Sequence, residues 1–593
     1  MYKILLSLLL VFITNLAVAH DGPPSYVDEN GDLVITIHVH GLRTANDDQY
    51  KTYSIDKINP DQLHHSTSTN IVRSGPKNQM SSLFLRGTNS NHTLITLNGI
   101  GLKDKSTPTG TDDLGQHSML GICSIEIIKG PMGTVYGSDA IGGTVNLTTC
   151  PTSENFIKID YGSNDTWTKT LKVGKWTGNT LIDFRIEDVE SDGISVYPGG
   201  EEDDAYDNRN YSLMTETLLG NKWVLGTIFF DKENNSNLDN SGSDNLDYTS
   251  NWKHDNQQIY LTNNNTRIVF NNSNHKRLYD KSNEQDSYKS NVKTYQFNHT
   301  QSATEKLDIT YGFEHEYTDV NFDTSIGSYI STVDKTRHVD GYSMTFDYLL
   351  DDMILSYGFR YDDQSMFENM LTHRYGIEHN GIRGSIATGY KAPTLYEMYG
   401  SNNYGFLGNS NLKPEESISY EIGFNQQYDQ GSFDLAIFRV DIDELITYSS
   451  NTYVNKSGKS TRQGVELGLT KEWYDVTITN NLTYTHARDS EDNKLTRRPE
   501  WINNTHIAYM NFLGDHYLFT NINYYGEHQD IDSSTYATIT KPDVTTVDFG
   551  IEKYINGYTL YGHLNNAFDK NYERPDGYNQ DGRNFKIGFK KTF

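Results

Sequence analysis

From about residue 153 onward the chain repeats one pattern: short segments in which apolar and polar residues alternate, separated by clusters of Asn, Asp, Gly and Ser. Ile157, Ile159 and Tyr161 alternate with Lys158 and Asp160, and Leu355, Tyr357, Phe359 and Tyr361 with Ser356, Gly358 and Arg360. Val476, Ile478, Leu482 and Tyr484 share a face opposite Thr477, Thr479 and Thr483. A period of two sends successive side chains to opposite faces, so each segment predicts a strand with one apolar and one polar side. The chain stops on such a segment, with Phe585, Ile587, Phe589 and Phe593 on one face. Residues 20–152 read differently. They mix short apolar runs with Gly-rich turns and lack the repeated alternation, which predicts a separate globular unit.

Composition turns these strands into a closed wall. Hydrophobic residues are only 35% of the chain and mean hydropathy is -0.66, yet there are 42 Tyr and 24 Phe. A membrane barrel with a wet lumen needs one apolar face and aromatic girdles, which reconciles those figures. A disordered chain would be poor in aromatics, and a sandwich would need more aliphatic residues. No later stretch offers ~18 uncharged apolar residues, so a membrane would be crossed by strands. At the start, Lys3, an apolar run over 4–16 and Ala17-Val18-Ala19 predict a secretory signal over 1–19. The net charge of -28 argues against a nucleic-acid partner and suits divalent cations.

The only cysteines are Cys123 and Cys150. Export places them in an oxidising compartment, where a disulfide and two free thiols are both open. They flank two β-like runs, 125–129 and 144–149, whose antiparallel pairing would bring them together.

The most specific motif is residues 125–149, IEIIKGPMGTVYGSDAIGGTVNLTT. A β-run ends at Gly130-Pro131, a tight connection follows, and Gly142-Gly143 opens another strand. A phosphate-cradling loop would need GK[ST] or GxGxxG, and neither is present. With residues 82–98, SLFLRGTNSNHTLITLN, this run resembles the plug of the TonB-dependent outer-membrane receptor family. Residues 389–400 (GYKAPTLYEMYG), 409–417 (NSNLKPEES, with Ser410 where a proline is usual), 441–448, 464–467 and 564–573 resemble the family's barrel motifs.

The resemblance implies an all-β transmembrane barrel of about 22 antiparallel strands with an N-terminal α+β plug inside the lumen. The 441 residues from 153 to 593 then give about 20 per strand with its connection. It divides the chain into a signal peptide (1–19), a TonB-box segment (20–40), a plug (41–152) and a barrel (153–593). Asp32, Leu33, Val34, Ile35, Thr36 and Ile37 resemble the TonB box, which implies strand addition to a TonB-type energy-coupling protein. Arg86 occupies the position of a family arginine that meets carboxylates of the wall. The terminal aromatic strand resembles the assembly signal of outer-membrane proteins. The implied protein is an outer-membrane active transporter, monomeric, embedded in the lipid bilayer and not an enzyme.

Within the family, the nearest subfamily resemblance is to cobalamin receptors, carried by the DLVIT-type box, FLRGTNSNH, YGSDAIGG, the spacing of YKAPTLYEMYG to NLKPE, and FDKNYE. It implies a cobalamin cargo on plug loops 73–82 and 103–113, with Ser74, Asn78, Gln79, Ser82, Thr107 and Thr109 as ligand-binding candidates. It also implies calcium as a loop-ordering ion, with Asp203, Asp204, Asp207 and Asp231 as candidate ligands. Arg209 stands where a further acidic ligand is expected. A ferric-siderophore cargo is the alternative, and would favour clustered arginine and aromatics.

Other readings carry less. No histidine lies between Thr394 and Ser410, which weakens a haem receptor. His38-x-His40 puts two imidazoles on one face of a strand, a weak mark of a metal cargo among scattered histidines at 64, 65, 92 and 117. GxSxG, HExxH and Cys-His constellations are absent. A passive porin needs neither plug nor box. Between Tyr53 and Asn70 there is room only for a helical stub after Pro60, so the plug is expected to be short.

Overall fold

The alternating segments form strands and the strands close on themselves. The computed structural model describes residues 25–27, 33–35, 52–58, 66–75, 78–239, 243–282, 284–327, 329–402, 404–512 and 516–593. Twenty-two antiparallel strands make one barrel, sealed where Phe156–Gly162 pairs with Asn584–Thr592. Apolar members of the alternation point outward: Ile157, Leu355, Tyr361, Ile478, Phe585 and Ile587 are all exposed on the wall. Their polar neighbours point into the lumen, as with Asp160 and Arg360, both buried. Among the described residues no helix is long and apolar enough to cross a membrane, and the strands supply the crossing.

The two ends of the barrel differ. Turns of two or three residues, such as 178–179, 220–222 and 263–265, close one end. The other end carries long loops, including 192–205, 392–414, 444–459, 489–500, 526–543 and 566–583. That asymmetry places the long loops outside the cell and the short turns in the periplasm. Three consecutive strands, Glu284–Thr304, Leu307–Ile326 and Tyr329–Leu350, have 20 to 22 residues. At ~3.3 Å per residue they rise well beyond an apolar band ~25 Å tall, so their upper halves form an extracellular rim.

The N-terminal unit fills the lumen. Its five-stranded sheet runs Ile55–Ile58, Ile122–Lys129, Gly143–Thr149, Thr93–Leu97 and Ile100–Gly101, and a hairpin of Thr69–Arg73 with Ser81–Leu85 sits beside it. Leu85, Ile95, Leu97, Ile125, Ile127, Val145 and Leu147 form its core, which continues into Met214, Ile228, Phe230, Tyr260 and Val269 of the wall. Helix is scarce in the plug: among the described residues it has one turn at Gly133–Tyr136 and two 3-10 turns. The described part of the plug is thus nearly all β, and the helical stub expected after Pro60 lies outside the described residues. Cys123 and Cys150 form a disulfide across the antiparallel pair in which Ile122 faces Thr149, with Cα atoms 5.8 Å apart.

Leu33–Ile35 pairs with Ser25–Val27 as a separate two-stranded sheet. Asp32, Thr36, Ile37, His38, His40, His64, His65 and the expected signal over 1–19 lie outside the described residues.

Candidate functional site

The glycine-rich motif works by close approach. A Cβ on Gly142 would stand 2.3 Å from Thr88 Oγ1, and one on Gly143, at φ +146°, 2.2 Å from the Ile128 carbonyl oxygen. Only glycine lets the second strand lie so tightly on its neighbours. The same segment then meets the barrel motif of residues 389–400. Ser138 Oγ accepts from the Ala392 amide at 2.9 Å, and the Tyr390 carbonyl accepts from the Asp139 amide at 3.0 Å. Thr394 and Glu397 cap the helix Leu395–Tyr399 reciprocally, and buried Lys391 lies 3.4 Å from Glu397. The two motifs are thus halves of one contact between plug and wall.

Arg86 is the deepest tie. It is fully buried, donates Nε and Nη2 to the two carboxylate oxygens of Glu466, each at 2.8 Å, and donates Nη1 to Glu421 at 2.7 Å. Its guanidinium also lies 4.6 Å from the Phe438 ring centre. Burial works against the charge, but the two carboxylates outweigh it and raise the Arg86 pKa. Further ties to the wall follow the rim of the plug, His92 to Glu415 and Asp104 to Arg277 at 2.8 Å, while Lys103 pairs with Asp139 inside the plug. Burial opposes the Asp104 charge, yet Arg277 holds its carboxyl at about 2.

The ligand candidates divide. Asn78 donates to Ser236 Oγ at 2.9 Å and accepts from Asn208 at 2.6 Å, while Gln79 donates to the Asn237 carbonyl at 3.1 Å. Both amides are buried against the wall. Thr107 is buried and donates to the Asp104 carbonyl at 3.1 Å. Ser74 and Ser82 are half-buried, and Thr109 is exposed on a turn whose Pro108 carbonyl accepts from Thr394 Oγ1 at 2.8 Å.

A different set gathers at the long-loop end, above the hairpin of residues 69–85. Arg498 stacks 4.5 Å from the Phe84 ring centre and donates Nη2 to Asn89 Oδ1 at 2.6 Å, with Nε unpartnered among the described residues. Arg574 stacks 4.0 Å from the Tyr525 ring centre and donates to Asn70 Oδ1, again with Nε unpartnered among the described residues. Arg462 is fully buried, and none of its three guanidinium nitrogens has a hydrogen-bond partner among the described residues. Burial, and then the charges of Arg462 and Arg497, push Arg498 down to about 9. Burial, and then Arg574, lower His528 in the adjoining loop to about 4. In a chain of net charge -28 this corner is positive and short of counter-charge. Sequence reading missed it because its members are far apart along the chain; the local signal was the Arg497-Arg498-Pro499 run in a loop.

Acidic loops adjoin the loop that carries Arg574, where the Asn579 amide donates to the Val196 carbonyl at 2.8 Å. Single donor oxygens of Glu202, Asp239 and Asp244 lie within 4.8 Å of one another. Asp239 accepts from the Tyr197 and Asn245 amides at 2.9 and 2.8 Å, and Asp204 accepts from the Val196 amide at 2.8 Å. Glu202 Oε2, Asp204 Oδ1 and Asp244 Oδ1 are buried without a partner among the described residues. Burial, and then Asp239 and Glu202, push Asp204 up to about 7; for Glu202 burial, a hydrogen bond to Asp244 and the Asp239 charge do the same. Of the expected calcium ligands, only Asp204 borders this group. Asp203 is exposed and accepts from the Ser195 amide at 3.2 Å. Asp207 and Asp231 take outward positions in the strand alternation and are exposed, so the pleat carries them away from the loops.

The plug-in-barrel architecture is matched by two family models. "TonB dependent receptor-like, beta-barrel" covers residues 151–567 and "TonB-dependent Receptor Plug Domain" covers residues 59–144. The chain belongs to the TonB-dependent receptor family. Solved receptors of similar fold include the siderophore receptor PirA from Acinetobacter baumannii, at 15% identity over 91% of this chain and 98% of that one (TM-score 0.74). The ferric enterobactin receptor PfeA from Pseudomonas aeruginosa, solved as a mutant, is 15% identical over 92% and 100% (TM-score 0.75). The copper transporter OprC is 13% identical over 92% and 99% (TM-score 0.78). As a TonB-dependent receptor this protein is an outer-membrane barrel that works with TonB.

Proposed function

We propose that this receptor takes up an anionic ferric chelate of the siderophore class, driven through a TonB contact at residues 32–37. The observation that supports this cargo is the group Arg462, Arg498 and Arg574, whose guanidiniums lack carboxylate partners among the described residues. A delocalised cation beside an aromatic face suits the oxygen-rich, negatively charged surface of such a chelate. A corrinoid is uncharged over most of its rim and would need open amides, whereas Asn78 and Gln79 already serve the wall. The cobalamin expectation is therefore set aside in favour of the siderophore alternative.

The test is a titration of the purified receptor with an iron-loaded catecholate, a cationic hydroxamate chelate and cyanocobalamin. Removing one partner of a desolvated charge pair costs about 2 kcal/mol or more, or roughly 30-fold in affinity. The anionic chelate is expected to bind tightly, and Arg498→Ala and Arg574→Ala each to weaken it by about that factor. Binding of cyanocobalamin, or an anionic chelate indifferent to both substitutions, would falsify the reading.

Calcium is proposed as the ion that orders loops 192–205 and 238–247. Glu202, Asp239 and Asp244 converge, and Glu202, Asp244 and neighbouring Asp204 each keep a buried oxygen without a partner among the described residues, which suits a hard cation that takes many oxygen ligands. Millimolar calcium is expected to protect these loops from limited proteolysis in the native receptor but not in Asp239→Asn/Asp244→Asn. Equal protection in both proteins would remove the ion from this site.

A further inference from the structure

The plug meets the wall at a second group of metal-ligating side chains, outside the arginine corner and the acidic loops. His117 comes from the plug, His254 from Tyr248–Thr262 and His275 from Thr266–Lys281, where the last two are cross-strand partners. The rings of His254 and His275 stack with centres 3.9 Å apart, and His117 lies 6.4 Å from His254, edge-on. All three are buried.

Their hydrogen bonds follow one rule. His117 Nε2 meets Asp112 Oδ1 at 2.8 Å, His254 Nε2 meets Ser273 Oγ at 3.0 Å, and His275 Nε2 meets the Leu102 carbonyl at 3.0 Å. In each ring the other nitrogen, Nδ1, is buried and has no partner among the described residues, and neither has Asp112 Oδ2 beside them. A carboxylate on His117 and a carbonyl on His275, with the other ring nitrogen left open, is how proteins orient an imidazole for a metal; for His254 the Ser273 hydroxyl, which also lies 3.3 Å from His275 Nε2, takes that place. Three orphaned nitrogens in one buried group are otherwise costly.

From these observations we propose that His117, His254 and His275 bind a borderline divalent transition-metal ion, of the zinc, cobalt or nickel class, between plug and wall. Imidazole donors select such ions over calcium or magnesium. With metal–nitrogen bonds of ~2.0–2.1 Å, rings sharing a tetrahedral ion have centres about 5 Å apart. The observed 3.9 and 6.4 Å bracket that value. The three donors do not yet lie within 4.8 Å of one another, so the stacked pair must part and His117 close in as the ion enters. Asp112 supplies negative charge on the plug side. The ion would tie the plug to the strands carrying His254 and His275, independently of the cargo.

The probe is Co(II) added to the full receptor in detergent, because imidazole ligation in a four-coordinate site gives visible absorption bands. One Co(II) per chain is expected, displaced by Zn(II). Affinity should fall about tenfold or more in His254→Ala/His275→Ala and stay unchanged in Asp239→Asn/Asp244→Asn. Heat-modifiable electrophoretic mobility reports whether the double variant still forms a barrel, and His117→Asn, which leaves the wall intact, serves if it does not. Absence of the bands in the natural protein, bands unchanged in the histidine variants, or bands lost with the acidic loops would each overturn the proposal.

Discussion

Substituting proline for Val34 is expected to abolish energised uptake while leaving cargo binding within about twofold of the natural protein. Strand addition depends on main-chain hydrogen bonds, and proline removes the one amide donor at its position and blocks continuous pairing. Val34 is the central residue of Leu33–Ile35, which shows the segment adopting the extended conformation that such pairing requires. None of the arginines that gather at the mouth belongs to this segment, so the first encounter with cargo should be untouched. Val34→Ala is the control, since it shortens the side chain and keeps the amide. Iron accumulation by intact cells, with and without collapse of the membrane potential, separates the outcomes. Normal accumulation in Val34→Pro would move the coupling contact elsewhere; loss in both variants would assign the effect to the side chain.

How far the chain could be read before folding depended on how local each feature is. The wall was legible because alternation is a neighbour-to-neighbour property: Leu355 and Tyr361 face outward and Arg360 inward, as the period demands. The plug signature was legible because Gly142 and Gly143 must lie under backbone and side-chain atoms that nothing larger would clear. Sites assembled from several loops were not. Asp203, Asp204, Asp207 and Asp231 looked like one acidic group along the chain, yet the metal-capable trio takes one member from 192–205 and two from 238–247. The oxygen-rich run from Asp239 to Asp244 carried that signal and was passed over. Asn78 and Gln79 were expected to face the ligand because they lie at a plug tip, but a filled lumen puts the wall within reach of short amides. Arg462 and Arg574 are 112 residues apart, and only closure of the barrel brings them to one side of the mouth.

The ties that keep the plug in place are unequal, and Arg86 should dominate them. Arg86→Ala leaves Glu421 and Glu466 buried with fewer counter-charges, since Arg383 remains 3.1 Å from Glu421 and Lys129 3.8 Å from Glu466. Breaking a buried ion pair by removing one partner costs ~3–5 kcal/mol, because the surviving charge cannot reach water. Arg86 already occupies the left-handed region at φ +52°, so alanine at the same backbone angle adds little strain of its own and the loss belongs to the guanidinium. Arg86→Lys should recover part of the charge but not the bidentate geometry, and fall between the two. Neutralising the pocket as well, with Glu421→Gln and Glu466→Gln added to Arg86→Ala, should restore much of the loss, because uncharged amides are cheaper to bury. The expected signature is faster hydrogen exchange in the plug, conductance across planar bilayers and sensitivity to large antibiotics, while the barrel keeps its heat-modifiable mobility. A plug as protected in Arg86→Ala as in the natural protein would mean that the contact between Ser138–Asp139 and Tyr390–Ala392, together with the apolar seam to Phe230 and Tyr260, holds it without the arginine.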